Sequence, residues 1–379
     1  MTIPHSNLLV AAEAHRTWAV ALLESLVRLE SPSGDLVALA RCGAAIAGEM
    51  TALGARVTTH ASPAGDHLRG EWGSGPSQLL LLGHYDTVWP VGQLARMPLR
   101  RDADRLYGPG AFDMKGGVVI GLLALRALAD LDARSAHRIV MLWTTDEEVG
   151  SETSRALIEK EARHSRAVFV LEPALPGGAV KTARKGVGDF VVRATGVAAH
   201  AGIDPAAGAS AVHELARQVG VLAALTDLPR GVSVNVGTIT GGTRTNVIAE
   251  HAEAHVDVRI STMADADRVT AAVTGLAARD PRVRLEVSGG LNRPPFERTP
   301  QVAELFVQAQ RIAAELGRPL DEGATGGASD GNFTGALGVP TLDGLGPEGH
   351  GAHALDEHVL LEPFPFRAAL VAGLLLQVQ

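Results

Sequence analysis

Apolar residues recur at helical spacing over residues 8–29 and again over 36–53, and each stretch predicts an amphipathic helix. The period then changes. Short apolar runs at 55–59, 79–82, 139–143 and 168–171 are strand-like, with helical patterns at 115–131 and 154–160 between the later ones. Strands alternating with helices predict a largely parallel α/β sheet covered by helices on both faces. Ligands of such sheets bind at the carboxyl ends of the strands. His84, the pair Glu147 and Glu148, and Glu172 each stand just past one of these runs, so the pattern aims three polar groups at one sheet edge.

Near Lys185 the pattern changes again. A strand is predicted over 187–195, a helix over 209–225, strands over 233–240 and 249–260, a helix over 264–278 and a strand over 283–287. This β-α-β-β-α-β order is the split, ferredoxin-like α+β arrangement. It predicts an inserted domain at 183–292, about a hundred residues and a common domain size. The flanking segments, 1–182 and 293–379, form the other domain. Residues 292–295 are the expected hinge, because two prolines stiffen the crossing. A helix over 302–316, a Gly-rich segment over 323–331 and a helix over 365–376 complete the pattern.

Composition narrows the classes of partner. The 379 residues carry a formal charge of −8 with no basic block, which argues against nucleic acid or an anionic membrane. The one cysteine, Cys42, excludes an internal disulfide framework and fits a reducing compartment. It lies in an Ala-rich helical stretch, where inert packing is expected. The first eleven residues lack the basic start and apolar run of a secretory leader. The most apolar helical stretch, 118–128, is too short to span a bilayer and contains Arg126. A soluble cytoplasmic protein is expected.

The candidate chemistry begins with Glu147 and Glu148. Adjacent acids at a strand end repel each other. The pair makes sense if one binds a metal and the other handles a proton; a solvated loop entering a helix is the plain alternative. Imidazole and carboxylate are ligands for zinc or a related divalent ion. In His84-Tyr85-Asp86, Asp86 points to the same side as His84 and can accept its second ring N–H. Asp113, in Gly108-Pro109-Gly110-Ala111-Phe112-Asp113-Met114-Lys115, precedes a helix and could equally cap it. Glu172-Pro173 could be an ordinary strand exit. The loop from Gly349 to His358 holds His350, His353 and His358, and composition does not choose among them.

Together, Gly83-His84-Tyr85-Asp86-Thr87-Val88, the Asp113 segment through Gly117, Asp146-Glu147-Glu148-Val149-Gly150-Ser151, Glu172-Pro173 and the His353 loop resemble the ligand motifs of the M20 family of dinuclear zinc aminoacylases and carboxypeptidases, especially its glutamate-carboxypeptidase-like branch. The resemblance covers nearly the whole chain. It implies a zinc-peptidase-like sheet domain and an inserted lid and dimerisation domain, hence a homodimer. Asp113 would bridge two Zn2+ ions per subunit, with Co2+ or Mn2+ as substitutes. His84 and Glu172 would complete one site, Glu148 and His353 the other, and the spacing to Asp356-Glu357 selects His353. Glu147 would be the general base, and the Asp113–Met114 peptide bond would be cis.

In the inserted domain, Ala198-Ala199-His200-Ala201-Gly202 matches the family histidine that crosses a dimer interface to hold the substrate carbonyl or its oxyanion. Asn246 and Arg259 resemble the family's carboxylate-binding pair; an Arg fork suits a free carboxylate. Gly327 and Ser329, in Thr325-Gly326-Gly327-Ala328-Ser329-Asp330, resemble a backbone segment touching the same carboxylate. Arg293 is a candidate reader of a side-chain carboxylate, while Arg184 and Lys185 are expected as solvated hinge charges. His350 would donate an extra proton or tune the pocket. The implied reaction is hydrolysis of an amide next to a free carboxylate, in a peptide or an N-acyl amino acid, favouring an acidic or N-acylated terminal residue. The competing readings are a deacetylase or dipeptidase with the same chemistry, and a metal-free binding protein.

Overall fold

The most apolar short runs of the chain become the centre of a six-stranded sheet. The computed structural model describes residues 3–378 and divides into two compact units. The first comprises Met1–Ala183, Arg298–Ala324 and Ser329–Gln379. Its main sheet runs, in spatial order, Arg56–His60, His67–Trp72, Arg138–Thr144, Gln78–His84, Ser165–Val170 and Thr341–Leu342. The last four strands are parallel, and the first two add an antiparallel edge. Gln78–His84 is buried along its whole length, as a central parallel strand covered on both faces must be. Leu79 and Leu81 enter one hydrophobic cluster and Leu80 and Leu82 another, so alternate residues serve opposite faces. Helices Gly116–Asp130 and Phe364–Gln377 are apolar on almost every side because both lie inside the larger cluster.

The predicted helix over 8–29 is two helices, His5–Ala14 and Arg16–Arg28, which meet at His15. The strand His67–Trp72 is absent from the sequence reading. Its residues, His-Leu-Arg-Gly-Glu-Trp, alternate poorly, and pairing with Arg138–Thr144 holds them extended. That strand is also tied by charge. Arg69 donates from Nε and Nη2 to the two carboxylate oxygens of Glu161 at 3.0 and 3.3 Å, and Gln78 donates to the same group at 3.0 Å. Burial opposes ionisation of Glu161, but these donors outweigh it and hold the carboxyl below its usual range. Glu161→Ala would leave Arg69 with Glu71 alone, 3.0 Å from its Nη1, and should cost about 2 kcal/mol, within the range for losing hydrogen bonds to a charged group. The sign of the pH dependence follows from the lowered carboxyl. The deficit should be full above the ordinary Glu value of about 4.3 and close as pH falls through the lower folded value. Urea unfolding at pH 7 and pH 3 measures both.

The second unit comprises Arg184–Glu297 and Thr325–Ala328. Its four strands, Gly186–Thr195, Ser233–Gly241, His251–Ile260 and Arg284–Arg293, pair antiparallel with the second at one edge, then the third, the first and the fourth. Helices Ala211–Ala223 and Met263–Thr274 bury their apolar stripes in the cluster of this sheet. The last strand continues to Arg293 rather than ending near Val287, so the expected hinge at Asn292 is strand. Arg293 is buried. Arg184 is also buried, against the expectation of a solvated charge. Its Nη1 donates to the carbonyls of Gly327 and Ala328 at 3.2 Å, and those carbonyls stand in for water. Among the described residues, no helix is long and apolar enough to cross a membrane.

Candidate metal centre

The parallel register delivers the first groups. Leu82 pairs with Leu142 on one side and Val170 on the other, so the three strands end together. His84 is the last residue of its strand, Glu147 and Glu148 follow Thr144 by three and four positions, and Glu172 follows Val170 by two. Backbone close packing holds the last of these ends in place. A Cβ on Gly117 would lie 1.9 Å from the Leu171 carbonyl oxygen, and one on Gly346 2.0 Å from the same atom. Glycine at both positions lets a helix and a loop close on the residue just before Glu172.

Asp113 arrives from a different direction. Gly110 turns the chain in the left-handed region, φ 71°, and Asp113 and Met114 are non-helical, joined by a cis peptide bond. The following helix starts at Gly116, and Asp113 makes no capping bond to it, so the capping alternative does not hold. His353 comes from the loop that precedes the short strand His358–Leu360, with its own backbone in the left-handed region, φ 60°.

These side chains fall into two groups that share one residue. His84, Asp113 and Glu172 form one; Asp113, Glu148 and His353 form the other. Asp113 turns Oδ1 toward His84 Nε2, at 3.4 Å, and Oδ2 toward His353 Nε2, at 3.5 Å. His84 Nε2 is 3.3 Å from Glu172 Oε1, and His353 Nε2 is 3.1 Å from Glu148 Oε2. Glu147 is in neither group, with Oε2 3.9 Å from His84 Nε2. Tetrahedral ligands at about 2.1 Å from one ion stand roughly 3.4 Å apart, so the spacing suits donors around shared cations. Moreover, His84 Nε2 and Glu148 Oε1 are buried without a hydrogen-bond partner, an expensive condition for polar atoms that a cation would relieve.

Charge agrees with spacing. Burial pulls His84 toward neutrality, yet Asp113, Asp86 and Glu172 outweigh it and hold the ring well above its ordinary value. Glu148 pushes the His353 ring up to about 9. Burial raises the Glu148 carboxyl, and neighbouring Asp113 adds to the effect. The cluster attracts positive charge, and divalent cations would satisfy it while displacing the imidazole protons. The residues present therefore fit a pair of metal ions.

Asp86 does more than expected. His84 Nδ1 is 3.1 Å from the Asp86 carbonyl and 3.3 Å from its Oδ1. The same carboxylate accepts the backbone N–H groups of Glu147 and Glu148, at 3.3 and 3.2 Å, and the Ser33 hydroxyl at 2.7 Å. One buried side chain thus orients a histidine and the turn carrying both glutamates. Asp146 fixes the far side of that turn by accepting from the Thr153 amide and hydroxyl, both at 2.7 Å. Ser33 and Thr153 were missed in the sequence, where neither has a distinguishing pattern.

In the second unit, His200 Nδ1 accepts from the amides of Gly202 and Ile203 at 3.2 and 3.1 Å, which places the proton of the neutral ring on Nε2. Asn246 is exposed, and its carbonyl accepts from Ala201 N at 2.9 Å, which ties the two candidate loops together. Arg259 differs from expectation. Its fork is already engaged with Asp257, two residues back on the same strand face, with Nε at 3.0 Å and Nη2 at 2.7 Å. Gly327 is exposed. Ser329 is corrected as a substrate contact: it is fully buried, its hydroxyl donates to Asp343 at 2.7 Å, and its amide donates to Asn332 at 2.9 Å. His350 is exposed and faces His358 across a short ladder.

The sequence profile of peptidase family M20/M25/M40 matches residues 80–377, which include every candidate metal ligand and Glu147. The chain belongs to this family. It is therefore a metal-dependent hydrolase. Among its relatives, carboxypeptidase G2 of Pseudomonas sp. (strain RS-16) is 31% identical over 377 residues, covering 97% of this chain and 91% of the relative. A succinyl-diaminopimelate desuccinylase of Verminephrobacter eiseniae is 31% identical over 305 residues, covering 75% and 74%. The fold is shared with aminopeptidase PepT from Bacillus cereus, at a TM-score of 0.78 and 22% identity over 96% of this chain and 98% of that one. It is also shared with the M20 family metallo-carboxypeptidase Sso-CP2 from Sulfolobus solfataricus, at a TM-score of 0.72 and 16% identity over 95% and 98%.

Proposed function

We propose that this M20-family chain hydrolyses an amide bond next to a free carboxylate, in a peptide or an N-acyl amino acid, at a two-metal centre. The observation that carries the proposal is the position of Asp113, whose two oxygens face His84 and His353 separately at 3.4 and 3.5 Å. His84, Asp113 and Glu172 would hold one ion and Asp113, Glu148 and His353 the other; the nitrogen and oxygen donors suit Zn2+, with Co2+ or Mn2+ as substitutes. Such ions supply Lewis-acid polarisation of the scissile carbonyl and lower the pKa of water.

The chain's own groups do the rest. Glu147, beside the ligands but outside both groups, takes the proton of the attacking water on its carboxylate and returns it to the leaving nitrogen. Asp86 holds that glutamate by its backbone. His200 is assigned, across a dimer interface as the family resemblance implies, to the oxygen that gains charge as the carbonyl becomes tetrahedral, with its Nε2–H as the donor. Asn246, Arg259 and the Gly327 backbone are assigned to the substrate carboxylate; Arg259 would exchange Asp257 for it. A carboxypeptidase and a desuccinylase among the relatives support an amide substrate that bears a carboxylate, and the glutamate-type branch is our preferred class. The inserted unit is assigned to dimer formation, because Ser233–Gly241 lies at the edge of its sheet, where a second copy could add strands. A cytoplasmic location fits the lone buried thiol.

The test is a panel of N-acyl amino acids, γ-glutamyl conjugates and dipeptides, each beside its C-terminal amide, with zinc-reconstituted protein. Cleavage should require the free carboxylate and stop on chelation. Equal turnover of the amides would remove the carboxylate from the proposal, and a protein that takes up no metal would remove the mechanism.

A further inference from the structure

The loops that carry Asp113 and His353 are joined by one buried carboxylate that the hydrolytic reaction does not use. Glu357 is 1% exposed. Its Oε1 accepts the backbone N–H groups of Phe112 and Asp113, at 2.9 and 3.1 Å, and its Oε2 accepts that of Gly110 at 3.0 Å and the Trp89 indole N–H at 2.7 Å. Its own carbonyl accepts from Gly108 N at 3.2 Å. The left-handed Gly110 turns these amides inward, forming a concavity that ordinarily suits a free anion. Here the anion belongs to the chain. It stands four residues after His353, at the end of a loop whose turn packs on Glu357 itself. A Cβ on Gly351 would lie 2.9 Å from both the Cα and the N of Glu357.

We propose that Glu357 is a positioning residue that clamps the Asp113 loop to the His353 loop and so sets the distance between two ligands of the second ion. The inference rests on the two-metal reading above. Two of the three ligands of that ion move if the clamp loosens, because Asp113 loses an N–H anchor and the His353 loop loses its side-chain tie to the Asp113 loop. The first ion shares only Asp113 with it, since His84 and Glu172 are held at strand ends. Supporting partners must keep ligands within about 0.5 Å of the binding geometry. Loss of the clamp therefore weakens the second ion more than the first.

Glu357→Gln tests this. It conserves shape but opposes an amide NH2 to backbone N–H donors, where only an acceptor fits. Zinc affinities of metal-depleted wild type and variant, measured by competition with a chromophoric chelator, should show the second ion weakened by about 10- to 100-fold, the usual cost of losing a supporting partner. The first should change by less than about 3-fold. Glu357→Asp, which keeps the charge but withdraws it by one methylene, should fall between them, and it carries the test if the Gln variant does not fold. Thermal melting of the metal-free proteins separates a general structural role. A lower melting temperature with both affinities unchanged, or reduced alike, would overturn the clamp. Wild type that binds fewer than two ions would overturn the two-metal reading first, and the clamp with it.

Discussion

Glu147→Gln should keep both ions and lose turnover by about 100- to 10,000-fold, the range that a positioned general base contributes. The substitution preserves volume and leaves the Glu147 amide on Asp86, so the turn carrying Glu148 stays in place. Glu147 lies outside both ligand groups, which is why metal content should not follow activity. The effect should appear in kcat with little change in KM, because the proton transfer is made in the transition state and not on binding. Metal analysis by mass spectrometry beside steady-state kinetics checks both halves. A variant that retained wild-type turnover would move the base elsewhere; one that lost an ion would make Glu147 a ligand.

The separation between these two glutamates illustrates what was legible in the sequence. Strand ends are readable because a buried parallel strand is a short apolar run, and the polar residue after it has one edge to occupy. His84, the pair Glu147 and Glu148, and Glu172 are found that way, while which glutamate binds metal and which is the base comes from the family resemblance. Asp113 was harder, since an acid before a helix is ordinarily a cap; the non-helical backbone at 113–114 and the glycine at 110 decide against capping only in three dimensions. His353 was chosen over His350 and His358 by resemblance to a family, and no periodicity could have done it. Arg184 and Ser329 were misjudged for a common reason. Each is a polar residue in a Gly-rich or junctional stretch, which looks exposed in one dimension, but each buries its donors against carbonyl or carboxylate oxygens supplied by distant segments. Arg259 shows the converse: its neighbour Asp257, two residues back on the strand, holds the fork that is assigned to a substrate. The polar supports of the centre, Ser33, Thr153 and Glu357, carry no periodic signal, because each acts through one specific contact: Ser33 and Thr153 on the carboxylates of Asp86 and Asp146, and Glu357 on backbone amides and an indole far away in the chain.

Asp113→Ala should weaken both ions together, by more than the 100-fold or so that loss of a supporting partner costs, and reduce hydrolysis to background. The reason is the division of its carboxylate. Oδ1 serves the His84 side and Oδ2 the His353 side, so one substitution removes a ligand from each group. Its negative charge is common to both groups, and a shared anion offsets the repulsion between two neighbouring dications. His353→Ala is the contrasting case. It removes a ligand from the second group alone, and its exposed ring contributes little to the core, so one ion should remain with Asp113, His84 and Glu172. Asp113→Asn should be intermediate, because one carbonyl oxygen survives while the charge does not. Circular dichroism of the metal-free variants guards against unfolding. Titration with zinc then distinguishes the arrangements. Loss of a single ion in Asp113→Ala would mean that the two groups are independent sites, whereas parallel loss of both is what a carboxylate shared between them requires.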